Sequence, residues 1–143
     1  MTKGIPQFGE KPKGKWEDRK SVYAIVLDDG EKLLVLKVRG VFHLPGGGIE
    51  EDEDPEEAVV REAMEEAGAT ITSTNFIGRA NQFFPDHNLN KVGTFYSAKL
   101  VEYKPDLSPE DDHQPEWIDT QVFMDGPVAS FQKWAVQKYL KEK

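Results

Sequence analysis

The sequence predicts an α+β or three-layer α/β fold, in which groups of strands and helices alternate along the chain. Apolar runs of strand length stand on both sides of residues 54–68, which carry helix signals at both ends, and a second helical pattern covers residues 131–143. The length of 143 residues suits one domain, so we expect a single domain over 1–143.

The N-terminal half begins with strands. Residues 1–20 are rich in Lys, Gly and Pro, which predicts an irregular segment. Residues 21–27 read as a buried strand, and residues 32–38 as its hairpin partner across the turn signal Asp-Asp-Gly. A short strand over residues 41–44 then leads into the run Pro-Gly-Gly-Gly.

The central helix has the clearest local signals. Asp54 is a suitable N-cap, Pro55 occupies the first helical position, and Glu57 stands three residues after the cap, as in a capping box. Gly68 is a typical C-terminal cap. At the helical period, one apolar stripe is expected to face the core, formed by Val59, Val60, Ala63, Met64 and Ala67.

The second half repeats the order of strands followed by a helix. The predicted strands cover residues 71–80, 82–84, 92–101 and 116–118. The predicted C-terminal helix covers residues 131–143, where Trp, Val and Leu recur on one face.

Composition excludes several classes of protein. The chain has no cysteine, so disulfides, thiolate nucleophiles and zinc–thiolate sites are excluded. No run approaches the roughly 20 consecutive apolar residues of a membrane span. The lysines of the N-terminus precede no apolar segment, so we expect no secretory signal and a cytoplasmic protein without membrane contacts.

Negative charge is concentrated in one segment. Ten carboxylates fall within residues 50–66 and only Arg61 opposes them, so this segment carries −9 while the whole chain carries −8. Such a block favours a cation or a basic partner, although a solvated acidic helix is the simpler alternative. Because it would repel phosphates, we expect no direct contact with duplex nucleic acid.

Two of these carboxylates call for an explanation. Glu62 and Glu66 are one helical turn apart, and like charges at this spacing destabilise a helix by roughly 0.2–0.5 kcal/mol. Carboxylates without Cys or His are ligands that Mg²⁺ or Mn²⁺ prefers. Since Mg²⁺ commonly shares its coordination with substrate phosphates, the cluster indicates a phosphate-containing substrate.

Seven residues of the loop and helix form a spaced pattern: Gly47, Glu53, Arg61, Glu62, Glu65, Glu66 and Gly68. Over residues 47–69 this pattern resembles the Nudix box, the signature of the MutT-like hydrolases. The preceding Leu-Pro, the run beginning at Phe84 and the later Glu-Trp pair at 116–117 are similar to the same family. The resemblance implies a Nudix-type α/β/α sandwich with a mixed β-sheet between helices.

The resemblance implies a catalytic metal site. Glu62, Glu65 and Glu66 would hold Mg²⁺ or Mn²⁺ and take part in catalysis. The family varies in which carboxylate acts as the general base, so that role stays open between the box and a later acidic loop. From this loop, Asp111 is the expected further metal ligand.

Three more residues receive supporting roles from the resemblance. Arg61 would position the glutamates by ion pairing, outside the metal's own ligands. Glu53 would hold metal-bound waters or orient Arg61. Gly47 would supply a backbone carbonyl to the metal or let the loop approach it.

The implied activity is Mg²⁺-dependent hydrolysis of a nucleoside diphosphate linked to a group X, giving a nucleoside monophosphate and phosphate-X. The partner is then a small nucleotide-derived substrate, with nucleoside triphosphates and ADP-ribose both open and a homodimer left open. The alternative from another class is a non-catalytic Nudix module that senses a nucleotide or binds a protein.

The sequence gives the weakest signal for the residues that bind the substrate. Lys37 and Arg39 end a strand near the glycines and are expected to meet phosphates, although basic residues on a solvated strand fit equally. Phe84 is expected to stack on a base, although aromatics at strand spacing are more often part of the core.

Overall fold

The computed structural model describes residues 4–107 and 114–143. In this part of the chain no helix is long and apolar enough to cross a membrane. Short 3₁₀ turns follow two strands, at Pro85–His87 and Pro105–Leu107. The strands and helices are β1 (Gln7–Phe8), β2 (Glu17–Val26), β3 (Leu33–Val38), β4 (Val41–His43), β5 (Gly46–Gly48), α1 (Pro55–Ala67), β6 (Ala69–Phe84), β7 (Leu89–Tyr103), β8 (Gln114–Ile118), α2 (Thr120–Asp125) and α3 (Ser130–Glu142).

The strands form two sheets. The larger has the order β1-β6-β7-β2-β5 and is mixed, because β1–β6 and β2–β7 pair in parallel while the other pairs are antiparallel. The smaller is antiparallel, with the order β4-β3-β8. The predicted α+β class with a mixed sheet is confirmed.

Helices cover both faces of the strands. Because side chains alternate along a strand, Val22 and Ala24 of β2 pack with α1, whereas Tyr23 and Ile25 pack with α3. In β3, likewise, Leu34 packs with α1 and Leu33 packs with α3. This gives the helix–sheet–helix arrangement that the resemblance implies.

The predicted hairpin between the first two long strands is wrong. Asp28 does organise a turn, since its Oδ1 accepts from the backbone N–H groups of Gly30 at 2.9 Å and Lys32 at 2.8 Å. However, β2 and β3 enter different sheets and meet only at the bridge Leu27↔Leu33. The turn residues act locally, whereas the ten-residue parallel pairing with β7 decides the partner of β2.

Residues 4–20 are more regular than the irregular segment that the sequence predicts. β1 pairs in parallel with β6, and β2 already begins at Glu17, opposite Leu89 of β7. Residues 17–20 are charged and exposed, so they give no apolar strand pattern. Likewise the glycine run forms the short strand β5, the two strands predicted over residues 71–84 are the single strand β6, and α2 was not predicted.

The caps of α1 are where the sequence predicts them, but the buried stripe is rotated. The Asp54 carboxylate accepts from the N–H of Glu56 at 3.4 Å, and Gly68 ends the helix at φ 65°. Val60 is 39% exposed, whereas the buried positions include Ala58 and Glu62. The rotation turns Glu62 inwards. There its carboxylate lies against Gly47 of β5 and forms an ion pair with Arg61.

Candidate active site

The glycines of β5 allow α1 to approach the sheet edge. Gly47 pairs with Val22 of β2, and a Cβ at Gly47 would lie 2.6 Å from Oε2 of Glu62. A Cβ at Gly46 would lie 2.1 Å from the carbonyl oxygen of Val22. Both values are below van der Waals contact. The missing side chain of Gly47 therefore leaves room for the carboxylate of Glu62, and that of Gly46 leaves room for the backbone of β2.

Arg61 gathers the carboxylates of the helix and loop. Its Nε and Nη2 donate to the two oxygens of Glu53 at 2.8 and 2.9 Å, a bidentate pair. Its Nη1 donates to Glu62 and Glu65, each at 2.9 Å, and Nη2 also donates to the carbonyl of Gly48 at 3.1 Å. One guanidinium therefore hydrogen-bonds three carboxylates and the last residue of β5, and it forms an ion pair with a fourth carboxylate, Glu50, at 3.7 Å.

Arg61 and Glu53 keep each other charged. Hydrogen bonds from Arg61, and a further one from the backbone N–H of Glu50, lower the pKa of Glu53 to about 2. In return, the hydrogen bonds to Glu53 raise the pKa of Arg61 above its ordinary value. The pair stays ionised at neutral pH.

A cleft of about 250 Å³ opens beside this network. Its walls combine apolar and polar side chains in similar measure, and such a concave site with convergent polar groups suits a small molecule. The lining residues are Tyr23, Leu36, Val38, His43, Leu44, Gly46, Gly47, Glu66, Lys91 and Gln132.

Two buried polar side chains line the cleft. Oε1 of Gln132 accepts from the backbone N–H of Leu44 at 2.8 Å, which fixes the orientation of this amide. Burial raises the pKa of Tyr23 to about 12; the Ser21 hydroxyl opposes the shift, and the charges of Glu66 and Glu62 add to it. The phenol of Tyr23 is therefore neutral at neutral pH.

Lys91 brings a positive charge to the cleft. Its Nζ lies 5.1 Å from the ring centre of Phe84, within cation–π distance. Burial lowers the pKa of Lys91, the charge of Arg19 lowers it further, and the negative charge of Glu66 raises it. Lys91 and Glu66 therefore interact electrostatically across the cleft.

Sequence reasoning did not find Tyr23, Lys91 or Gln132. No motif marks them, because each belongs to a regular strand or helix. A partial signal exists for Lys91, whose period-two spacing to Leu89 and Phe95 places it on the buried face of a strand. That pattern identifies a buried position but not what the position faces.

The structure brings the predicted box residues together and leaves the predicted substrate residues apart. Arg61, Glu53, Glu62 and Glu65 are in contact, and Glu66 lines the cleft with Gly47.

Lys37 and Arg39 are exposed on β3 and in the turn after it, and the cleft is lined by Leu36 and Val38 instead. Phe84 does not line the cleft either: its ring lies beneath Nζ of Lys91, which does, and packs edge-on against Phe131 with ring centres 6.2 Å apart.

The oxygen atoms of the box glutamates are the kind of ligand that a hard divalent cation prefers. The side chains of Glu62, Glu65 and Glu66 offer carboxylate oxygens, and the absent side chain of Gly47 leaves space at Glu62. Among residues 4–107 and 114–143, no group of three or more His, Asp or Glu side chains is arranged so that it could hold a metal ion. Asp111, the expected further ligand, lies outside the described residues.

Comparison with known proteins is consistent with the box and the fold. A family model described as "NUDIX domain" matches residues 17–139. An 8-oxo-dGTP diphosphatase from Proteus vulgaris is 36% identical over 69 residues, which are 48% of this chain and 58% of that protein. An oxidized purine nucleoside triphosphate hydrolase from Danio rerio is 29% identical over 100 residues, 66% of this chain and 62% of the relative. The chain thus spans less than two thirds of either relative.

A solved structure with the same fold covers most of the chain. The NUDIX hydrolase from Nitrosomonas europaea superposes with a TM-score of 0.80 at 18% identity. The superposition covers 89% of this chain and 91% of that one. At this identity the likeness concerns the fold.

Proposed function

This chain belongs to the NUDIX domain family, and on that premise we propose that it hydrolyses a nucleoside diphosphate linked to a group X. The products are a nucleoside monophosphate and phosphate-X. One observation carries the proposal: a single guanidinium, that of Arg61, connects Glu53, Glu62 and Glu65 beside a cleft lined by Glu66. This arrangement concentrates oxygen ligands where a bound diphosphate has room.

We propose Mg²⁺, or Mn²⁺, as the cofactor, held by Glu62, Glu65 and Glu66 with the backbone of Gly47 and Asp111. When bound, such an ion neutralises diphosphate oxygens and lowers the pKa of a coordinated water. The chain's own part is positioning: Arg61 fixes the angle of Glu62 and Glu65, and Glu53 fixes Arg61. A carboxylate of this group takes the proton from the attacking water.

For the substrate, we propose an oxidised purine nucleoside triphosphate such as 8-oxo-dGTP. The activities for which the two relatives are named support this class. The cleft beside the Arg61 network supports it as well, since apolar side chains together with Tyr23, Lys91 and Gln132 suit a nucleoside. Three earlier expectations stay predictions: a homodimer, a cytoplasmic location, and substrate contacts by Lys37, Arg39 and Phe84.

The test is phosphate release in the presence of Mg²⁺, with 8-oxo-dGTP and dGTP coupled to a pyrophosphatase. ADP-ribose is coupled instead to a phosphatase, which removes the phosphates of the AMP and ribose phosphate that its hydrolysis would form. We expect turnover of 8-oxo-dGTP, and a loss of about 100-fold or more in Glu66→Gln, the scale of a lost group acting on the reacting water. Glu57→Gln is the matched control, because it makes the same change on an exposed position of α1. Thermal unfolding shows whether both variants fold.

A non-catalytic nucleotide-binding module is the second candidate. One observation favours it: Arg61 already donates hydrogen bonds to Glu62 and Glu65, so these carboxylates have a partner other than a metal ion. Nucleotide binding without turnover of any substrate, unaffected by Mg²⁺, would support the module and contradict hydrolysis. Turnover of ADP-ribose alone would retain the hydrolase and contradict the oxidised purine.

A further inference from the structure

A second cleft, of about 320 Å³, lies on the opposite face of the larger sheet from the first. Lys20 and Val92 line the second cleft, whereas Tyr23 and Lys91 line the first. Successive side chains of a strand point to opposite faces, so Lys91 and Val92, neighbours on β7, face different clefts. The sheet therefore separates the two.

Two cations flank the second cleft. Lys20 on β2 and Arg79 on β6 stand on either side of β7, in register with Val92 and Thr94. Both are exposed, and among the described residues neither side chain takes part in an ion pair or a hydrogen bond. In a chain with 26 acidic and 18 basic residues, two such neighbouring cations suit an anionic ligand.

An aromatic ring stands at the rim of the same cleft. Phe76 is 60% exposed, although burying a ring of this size would stabilise the fold. The pairing of β6 with β7 shifts register between Phe76 and Gly78, and such irregularities re-aim side chains. The ring meets Tyr96 edge-on, with centroids 6.2 Å apart, and this contact holds it beside the cleft.

We propose that this second cleft binds a nucleoside phosphate, with the phosphate on Lys20 and Arg79 and the base stacked on Phe76. A cation pair with an exposed ring offers both parts of such a ligand their usual contacts, namely charge-assisted hydrogen bonds and stacking. The proposal goes beyond the proposed hydrolysis, since none of these residues belongs to the first cleft.

The charges around the cleft favour a small ligand and set its orientation. Burial raises the pKa of Tyr96, the carboxylates of Glu56 and Asp54 raise it further, and Arg79 lowers it. The phosphate lies at Lys20 and Arg79, the two cations of a lining that contains no carboxylate. The acidic segment over residues 50–57 would repel the longer polyanion of a nucleic acid.

The test is a titration of the full chain with AMP in the presence of EDTA, so that no hydrolysis takes place. Binding is followed by calorimetry and by the NMR signal of the Arg79 Nε–H group. We expect a saturable shift of this signal, and binding at this site weakened about fivefold or more in Phe76→Ala, the scale of a lost base stack. Arg79→Gln should weaken binding as well.

Matched variants make the result specific. Val101→Ala removes another exposed apolar side chain, 62% exposed on β7 but outside the cleft, and should bind AMP as the wild type does. Inorganic phosphate should shift the same Arg79 signal at higher concentration and be insensitive to Phe76→Ala. Because the three positions are exposed, the variants are expected to fold.

Three outcomes would overturn the proposal: no shift of the Arg79 signal, an unchanged AMP titration of that signal in Phe76→Ala, or equal affinity of this site for phosphate and AMP. The last result would leave an anion site without a base contact. None depends on turnover, so the failure of the proposed hydrolysis is recognised separately, in the phosphate-release assay with Glu66→Gln. Lys91→Met, which alters the first cleft, should leave the Arg79 shift in place.

Discussion

The two faces of the larger sheet are built from different side chains. On the α1 face the helix contributes small residues, among them Ala58, Ala63 and Ala67. On the α3 face large rings meet, and Phe95 stacks on Tyr23 at 5.2 Å. Small side chains let a helix come close to a sheet, whereas large rings bury more apolar area.

The two faces also differ in what their side chains contribute to the protein. On the α1 face, close approach brings Glu62, only 9% exposed, against Gly47 at the sheet edge. On the α3 face, Phe95 also contacts Phe131 at 5.6 Å and Trp134 at 6.2 Å. One face therefore positions charges, and the other contributes most of the aromatic packing.

The largest effect is expected on the aromatic face. Phe95→Ala leaves a cavity among three rings and should lower the free energy of unfolding by about 3–5 kcal/mol. Phe76→Ala is the matched control, because the same change at a 60% exposed position should cost about 0.5 kcal/mol. Urea unfolding measures both. Similar losses in the two variants would contradict the assignment of packing to the α3 face.

A smaller effect on stability, but a larger one on turnover, is expected at Gly47. In Gly47→Ala the new Cβ would displace the carboxylate of Glu62, whose end is flexible, so the fold should tolerate the change. Displacement by about 1 Å can cost on the order of 100-fold in rate. The control is Gly48→Ala, since a Cβ there meets no atom within 4 Å. Steady-state kinetics and urea unfolding separate the two effects, and equal kinetics in both variants would argue against positioning by Gly47.

The smallest effect concerns the response of stability to acid. The pKa of Glu53 is about 2 in the folded chain and 4.5 ordinarily, so between these values the unfolded state binds more protons. The Glu53 contribution is thus complete above about pH 4.5 and is lost as the pH falls towards 2.

Glu53→Gln should therefore show a shallower fall in unfolding free energy between pH 5 and pH 2 than the wild type. Urea unfolding across this range measures it. Phe95→Ala serves as the comparison, since it should shift the curve without changing its slope. An unchanged slope in Glu53→Gln would show that Arg61 does not hold this carboxylate ionised.

Short-range pattern predicted much of this molecule. The spacing from Gly47 to Gly68 identified the family, and the family match over residues 17–139 confirms it. Asp54 and Gly68 predicted the ends of α1 correctly. These features follow from the sequence because caps and helical spacing involve groups a few residues apart.

Long-range contacts decided the rest. The ten-residue pairing of β2 with β7, and not with its neighbour β3, depends on segments about 70 residues apart. The inward rotation of Glu62 depends on Gly47 and Arg61 together.

The sequence by itself determined which charged residues come together, namely Arg61 and the glutamates around it, because these residues belong to one loop and the helix that follows it. Only the tertiary structure decided that Lys91 and Gln132 line the first cleft and that Lys20 and Arg79 flank the second. The physical reason is that a cleft wall is assembled from strands and helices remote in sequence, whose partners are chosen by burial across the whole fold.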